Sequence, residues 1–328
     1  VTKVLYIGGT GEISYECVRQ SVALGHDVAV FNRGVNPEPL PDGVRSIIGS
    51  VDDDEAYAAL RDEGFDVVCQ FLAYNVQRIE RDIDVFGGAV KQYVFISSAS
   101  AYQKPPLSHI ITEQTPLENP FWPYSRAKAD MEKRLFAAHA SGTLPVTVVR
   151  PSHTIRRKFP GTFIPGDHMA WRITQSKPIV VHGDGQSLWT LTHASDFAVP
   201  FARLLGNDKA LGEAFHITTD EANTWDRIIA AIGRTLGMEP RVVHVSTDAL
   251  VKYNDAWSGP LVGDKACSVV FDNSKVKAAV GGWDAKISMP DAIHRAGEHV
   301  VQRLVELEPD VETDQLVDRI IADQEKLG

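Results

Sequence analysis

The chain has 328 residues, 44% hydrophobic and 23% charged, the balance of a globular protein and not of a disordered, collagen-like or coiled-coil one. Thirty-three Lys and Arg against 43 Asp and Glu leave a formal charge of −10. That argues against a sequence-independent nucleic-acid binder and against attraction to anionic membranes, while leaving room for an anionic small ligand at a helix end.

In chain order, residues 4–7 form an apolar run that reads as a buried strand. A Gly-rich turn follows, then a helix over about 12–24. Residues 28–31 and 44–48 read as strands, 55–61 as helix, 67–72 as strand, 77–90 as helix and 93–97 as strand. A helix over about 124–140 precedes a strand at 146–149. Apolar strands alternating with helices predict a parallel sheet covered on both faces. The expected class is therefore α/β, a Rossmann-type doubly wound sheet. After about residue 151 the rhythm changes to Gly- and Pro-rich loops, short strands near 179–182, 189–192 and 215–217, and helices near 195–206 and 224–237. This predicts a dinucleotide-binding domain over 1–152, to which parts of 179–220 return. A smaller α/β substrate lobe fills most of 153–328. A last amphipathic helix carries Val311, Leu316, Val317, Ile320 and Ile321, a stripe expected to pack on the body.

Cys17, Cys69 and Cys267 are far apart and form no CxxC, so neither a disulfide framework nor a structural zinc site is expected. The eleven histidines show no HxxxH or HExxH spacing, and no catalytic metal is expected. No signal-like segment precedes the first strand, and no stretch reaches about 20 apolar residues. The expectation is a cytoplasmic enzyme.

The first sharp motif is Gly8-Gly9-Thr10-Gly11-Glu12-Ile13-Ser14, between a strand and a helix. Gly8 permits a tight turn, Gly11 lets backbone approach a pyrophosphate, and the helix N-terminus offers free N–H groups. Ser14 stands where a third glycine often does. NAD sites usually end the second strand with a carboxylate. This strand ends in Asn32 and Arg33, which favours NADP over NAD, unless Arg33 stacks on adenine or faces solvent. Val51 and Asp52 follow the third strand, with Asp52 placed to accept from an adenine amino group. Leu72 and Ala73 are expected to line the cleft.

The second motif is Tyr124-Ser125-Arg126-Ala127-Lys128. Its Tyr and Lys share one helix face at i, i+4, and a neighbouring ammonium is expected to lower the phenol pKa toward neutral pH. Upstream, residues 95–102 form a strand end rich in hydroxyls: Ser97, Ser98, Ser100 and Tyr102.

Together with Val149-Arg150-Pro151, these motifs make the chain resemble the short-chain dehydrogenase/reductase superfamily. The long C-terminal part is similar to its extended branch, the NAD-dependent epimerase/dehydratase family. The resemblance fades after about residue 220. It implies that Tyr124 is the acid/base on the substrate oxygen and that Lys128 binds the nicotinamide ribose and tunes Tyr124. Ser98 would polarise the substrate oxygen, with Ser97, Pro151 and Ser152 beside the cofactor. Ser100, His153 and Trp189 would contact substrate. It also implies a sugar-like small-molecule substrate, and a homodimer formed through helices near 78–90 and 124–140.

Two departures stand out. Dehydratases of this type carry Thr-Asp-Glu at the hydroxyl, whereas Ala99 and Ser100 follow Ser98 here, so elimination lacks its acid. Nucleotide-sugar members commonly carry Arg seven residues before the Asp that is Asp196 here, and this chain has Trp189. Losing that charge-assisted contact weakens diphosphate recognition, unless Arg156-Arg157-Lys158 at the substrate mouth compensates. The segment 254–265 is either a lid or a surface connection. The expected activity is an NAD(P)-dependent oxidoreductase or epimerase. The alternatives are a nucleotide-sugar epimerase that retains NAD, or a non-catalytic dinucleotide sensor or scaffold on the same fold.

Overall fold

In the computed structural model, which describes residues 1–36 and 38–326, the chain forms a parallel sheet of seven strands. These are β1 (Lys3–Ile7), β2 (Asp27–Asn32), β3 (Arg45–Ile48), β4 (Val67–Gln70), β5 (Gln92–Ile96), β6 (Val146–Pro151) and β7 (Glu213–Ile217). Their spatial order is β7-β6-β5-β4-β1-β2-β3. The order reverses direction between β1 and β4, so the crevice beyond their carboxyl ends is where such sheets bind ligands.

The strands are buried on both faces, which is why they read as unbroken apolar runs. Leu5, Ile7, Phe31, Phe95 and Val148 face one layer, and Val4, Tyr6, Val30, Val94 and Val149 the other. The first layer includes helices α2 (Val76–Phe86) and α3 (Pro123–Ala140), joined by a two-pronged Arg134–Glu80 ion pair at 2.6 and 2.8 Å. On the opposite face α1 (Ser14–Ala23) packs against α4 (Ala194–Leu204).

The differences from the expected elements have local causes. β4 stops at Gln70, whose side-chain oxygen accepts from the Leu72 N–H at 2.7 Å and turns the chain out of the sheet. The helix expected at 55–61 is one turn, Asp54–Ala58, capped by Asp53 and followed by a 3₁₀ turn over Ala59–Glu63. The strand expected at 189–192 is two, Leu188–Trp189 and Leu191–His193, which pair with different partners.

A second core lies beyond the sheet. Ile179–His182 pairs in parallel with Val242–Val245, a ladder that was not expected. Helices α5 (Trp225–Leu236) and α6 (Met289–Leu304) pack together around Trp225, Ile228, Ile232 and Ile293. The final helix α7 (Val311–Glu325) buries Val317, Ile320 and Ile321 of its expected stripe and half-buries Leu316, but Val311, in its first turn, is exposed to solvent. Among the described residues no helix is long and apolar enough to cross a membrane.

Candidate active site

β1 runs straight into the glycine turn. Gly8 sits at φ +86°, and a Cβ there would lie 2.6 Å from Leu72 Cγ. A Cβ at Gly9 would lie 2.6 Å from Val30 Cγ2. Positions 8 and 9 are therefore closed to side chains on steric grounds. α1 starts with Ile13 at its N-cap and has no side-chain cap; the Tyr15 amide is taken by the Gly11 carbonyl at 3.2 Å, and the rest of this helix end is open to an anion. A cavity of about 820 Å³ opens over this turn, bordered there by Gly8, Thr10, Gly11, Glu12 and Ile13. Along its length it meets Asn32 and Arg33 beyond β2, Val51 and Asp52 beyond β3, and Leu72 beyond β4. It ends at Ser97, Ser98, Tyr124, Lys128, Pro151 and Ser152. An uncapped helix end, a glycine cradle and an elongated cleft fit a dinucleotide.

Three residues of this set behave differently from expectation. Ala73 is fully buried, off the cavity, and contributes only its carbonyl, which accepts from Lys128 Nζ at 3.0 Å. Asp52 borders the cavity but its carboxylate pairs with Arg78 at 2.7 Å. Glu12 turns its carboxylate to the backbone N–H groups of residues 156, 157 and 158. Those contacts also correct the reading of the basic triplet. Arg156 forms a two-pronged pair with Glu38 at 2.6 and 2.7 Å and stacks 4.3 Å from the Tyr15 ring, and Arg157 joins the same carboxylate. The triplet closes the chain over the glycine turn and borders neither cavity. By contrast, no carboxylate among the described residues pairs with Arg33.

Tyr124 and Lys128 lie in the first two turns of α3, which Pro123 opens at a position where its missing N–H costs nothing. Ser98 follows β5 and caps a 3₁₀ turn, its Oγ 2.9 Å from Ser100 Oγ. Ser125 donates to that same Ser100 hydroxyl at 2.8 Å. Ser97 is engaged elsewhere, with its hydroxyl 2.5 Å from Glu132. The expected lowering of the Tyr124 phenol is not found. Burial pushes it up to about 12, against an opposing pull from the Ser98 hydroxyl. The Lys128 ammonium donates to the carbonyls of Ala73 and Ile96, at 3.0 and 2.8 Å, and stands 5.7 Å from the centre of the Tyr124 ring. Burial also lowers Lys128 to about 8, against the pull of Glu132. The pair in the free protein is thus a neutral phenol, able to give a proton, beside a buried and weakened ammonium.

A second cavity of about 340 Å³ abuts the first, at the small end for ligand pockets. It is bordered by Ser98, Ser100, His153 and Trp189, all expected substrate contacts, and by Tyr102, Trp122, Lys104, Asp264 and Lys265. Ile13, Ser98, Tyr124, Pro151 and Ser152 border both cavities. His153 meets Trp189 edge-on at 6.3 Å, and burial holds it neutral, down to about 3. The segment 254–265 is neither a free lid nor a surface connection but a packed wall. Gly259 lies against Trp122, so that a Cβ would come within 2.4 Å of its ring. Trp257 packs on Phe163 at 4.5 Å, and the Asn119 amide bridges the carbonyls of Ser100 and Gly263 at 2.7 and 2.6 Å. Lys104 was not expected. It carries no motif, and only the fold brings it beside Asp264 and Lys265.

The NAD dependent epimerase/dehydratase family matches residues 4–218. The chain is 29% identical over 241 residues to 2'-dehydrokanamycin reductase of Streptomyces kanamyceticus, covering 72% of this chain and 67% of that protein. It is 30% identical over 258 residues to the chloroplast stem-loop binding protein of 41 kDa b of Arabidopsis thaliana, covering 74% of this chain and 65% of the relative. The matches thus span about two thirds of these relatives' lengths. In fold it is similar to a UDP-glucose 4-epimerase from Bifidobacterium longum, with a TM-score of 0.74 at 19% identity over 92% of this chain and 98% of the other.

Proposed function

The chain belongs to the NAD dependent epimerase/dehydratase family, a family of NAD-dependent enzymes, and on that premise we propose that it is an NADP-dependent oxidoreductase that acts on a carbonyl or hydroxyl of a polar, sugar-like small molecule. The observation that carries the reading is the shared wall. Ser98 and Tyr124 border both the dinucleotide-shaped cleft and the smaller cavity, so a substrate oxygen at their hydroxyls lies next to the cleft. A dinucleotide bound in the cleft supplies the hydride chemistry. Ser98 holds the substrate oxygen by a hydrogen bond, and Tyr124, kept protonated by burial, gives it a proton. Lys128 orients the ribose end of the cleft and adds positive charge beside the phenol. The reductase named among the relatives is in keeping with this direction. An epimerase that retains its cofactor is the second reading. Trp189 in place of an arginine argues against a nucleoside diphosphate substrate.

Transfer of deuterium from labelled reduced NADP to a sugar-like ketone, detected by mass spectrometry, tests the reading. No transfer to any member of a panel of keto sugars and keto polyols would overturn it. Two predictions concern the cleft. Arg33→Ala is expected to weaken NADP binding about tenfold, the worth of a charge-assisted contact, and to leave NAD binding nearly unchanged. Calorimetric titration of both cofactors into both proteins checks it, and an equal loss for NAD would refute the phosphate assignment. Lys128 has its pKa lowered to about 8, so it loses its charge as pH rises through that value. Dinucleotide affinity should fall over the same interval, and Lys128→Met should bind more weakly but without that pH dependence.

A further inference from the structure

The smaller cavity has a charge pattern that the oxidoreductase reading does not use. Lys104 and Lys265 are 4% and 8% exposed, yet neither ammonium forms a hydrogen bond or ion pair with any described residue. Both border the cavity, as does Asp264, whose carboxylate is also without such a partner among the described residues. Buried charges are normally paired. Here two lysines border a cavity that has only one carboxylate in its lining, Asp264, beside the apolar faces of Trp122, Trp189, Val269 and Phe271, so the lining carries one more cation than anion.

The positions are built, not incidental. The Lys265 carbonyl accepts from His182 at 3.1 Å and from Ser187 at 3.0 Å, which fixes the backbone. The Lys265 ammonium lies 5.8 Å from the centre of the Trp189 ring, and such a face holds a cation without neutralising it. The Asn119 bridge between Ser100 and Gly263 ties this wall to the turn that follows Ser98. Any group held by Lys104 and Lys265 is thereby set at a fixed offset from the reacting oxygen.

We infer that the substrate is an anion, a carboxylate-bearing sugar-like molecule whose acid group is held between Lys104 and Lys265 while Asp264 accepts from one of its hydroxyls. The inference rests on the oxidoreductase reading for the location of the reacting end. With Asp264 ionised the three side chains sum to one positive charge, and one carboxylate brings the cavity to neutrality. Burial works against the charge on both Asp264 and Lys265, and each partly restores the other's. An anionic substrate reinforces the lysine, whereas a cationic amino sugar would oppose both lysines. The cavity's modest volume suits a group of monosaccharide size.

The test is calorimetric binding to the NADP-loaded protein, with Tyr124→Phe as host so that no turnover intervenes. The probes are galacturonate, galactonate, galactose 6-phosphate, galactose and galactosamine. The two carboxylates are expected to bind at least about tenfold more tightly than galactose, as a charge-assisted contact implies. Lys104→Met and Lys265→Met should each remove most of that preference. Asp264→Asn should preserve or increase it, an outcome that general damage to the cavity would not produce. Equal affinity for galacturonate and galactose, tighter binding of galactosamine, no binding by either carboxylate, or no effect of either lysine change would overturn the inference. A preference for the 6-phosphate alone would also overturn the carboxylate. Acid-sugar binding without deuterium transfer by the unsubstituted protein would instead count against the oxidoreductase reading, and deuterium transfer without anion preference against this inference alone.

Discussion

Tyr124→Phe is expected to lower turnover by about 10²–10⁴-fold, the usual contribution of a positioned acid or base, while leaving dinucleotide affinity within a factor of about two. The split follows from the geometry. Tyr124 borders both cavities, but the charge at that end of the cleft is Lys128, which is held by the Ala73 and Ile96 carbonyls independently of the phenol. Phenylalanine keeps the ring against Trp122, whose centre lies 5.1 Å away, so the wall survives and only the proton is lost. Because burial keeps the phenol protonated up to about 12, the reductive direction should show no decline from loss of this proton below that value. The oxidative direction, which needs the phenolate, should rise with pH. Steady-state rates in both directions, with cofactor titration of each protein, check the prediction. Full turnover by the Phe variant on a substrate of the parent protein would remove Tyr124 from the chemistry.

That phenol also shows where the sequence stopped being informative. The pairing of Tyr124 with Lys128 is a local spacing, and the glycine turn and apolar strands are local as well. These could be read directly, because helix and strand periods are set by near neighbours. The direction of the Tyr124 pKa was misread because it depends on burial by distant residues. Trp122, Asp264 and the wall at 254–265 shield the site, and the Lys128 ammonium is spent on two carbonyls instead of the phenol. The basic triplet at 156–158 failed for the same reason. Its partners, Glu12 and Glu38, lie more than a hundred residues earlier in the chain, and no short-range pattern announces them. Lys104 and Lys265 were overlooked because a lysine in a loop is ordinarily solvated. Only the fold shows that these two are largely buried at the wall of a cavity.

Breaking the buried pair between Glu132 and Arg150 is the substitution with the largest expected effect on stability. The two side chains are 1% and 5% exposed and meet at 2.6 Å. Glu132 accepts from both Nε and Nη2 of Arg150, and Ser97 adds a third donor. Burial alone would push the guanidinium pKa down, and the Glu132 carboxylate more than reverses that. Glu132→Leu leaves an uncompensated buried cation and should cost about 3–5 kcal/mol. Adding Arg150→Met should recover most of that loss, because a buried pair exchanged for apolar side chains is often neutral or better. The Tyr102 hydroxyl, which Arg150 also touches, keeps His216 as a partner at 3.0 Å. Thermal and urea melts of the four proteins form a cycle that measures the coupling. A double variant less stable than either single one would show that the network, not the charge balance, sets the cost. The pair also joins the two halves of the site. Glu132 is one turn after Lys128 on α3, and Arg150 immediately precedes Pro151 and Ser152, which border both cavities. If the double variant is stable but turns over slowly, the pair serves to align Tyr124 and Lys128 with that strand end, and its stability contribution is secondary.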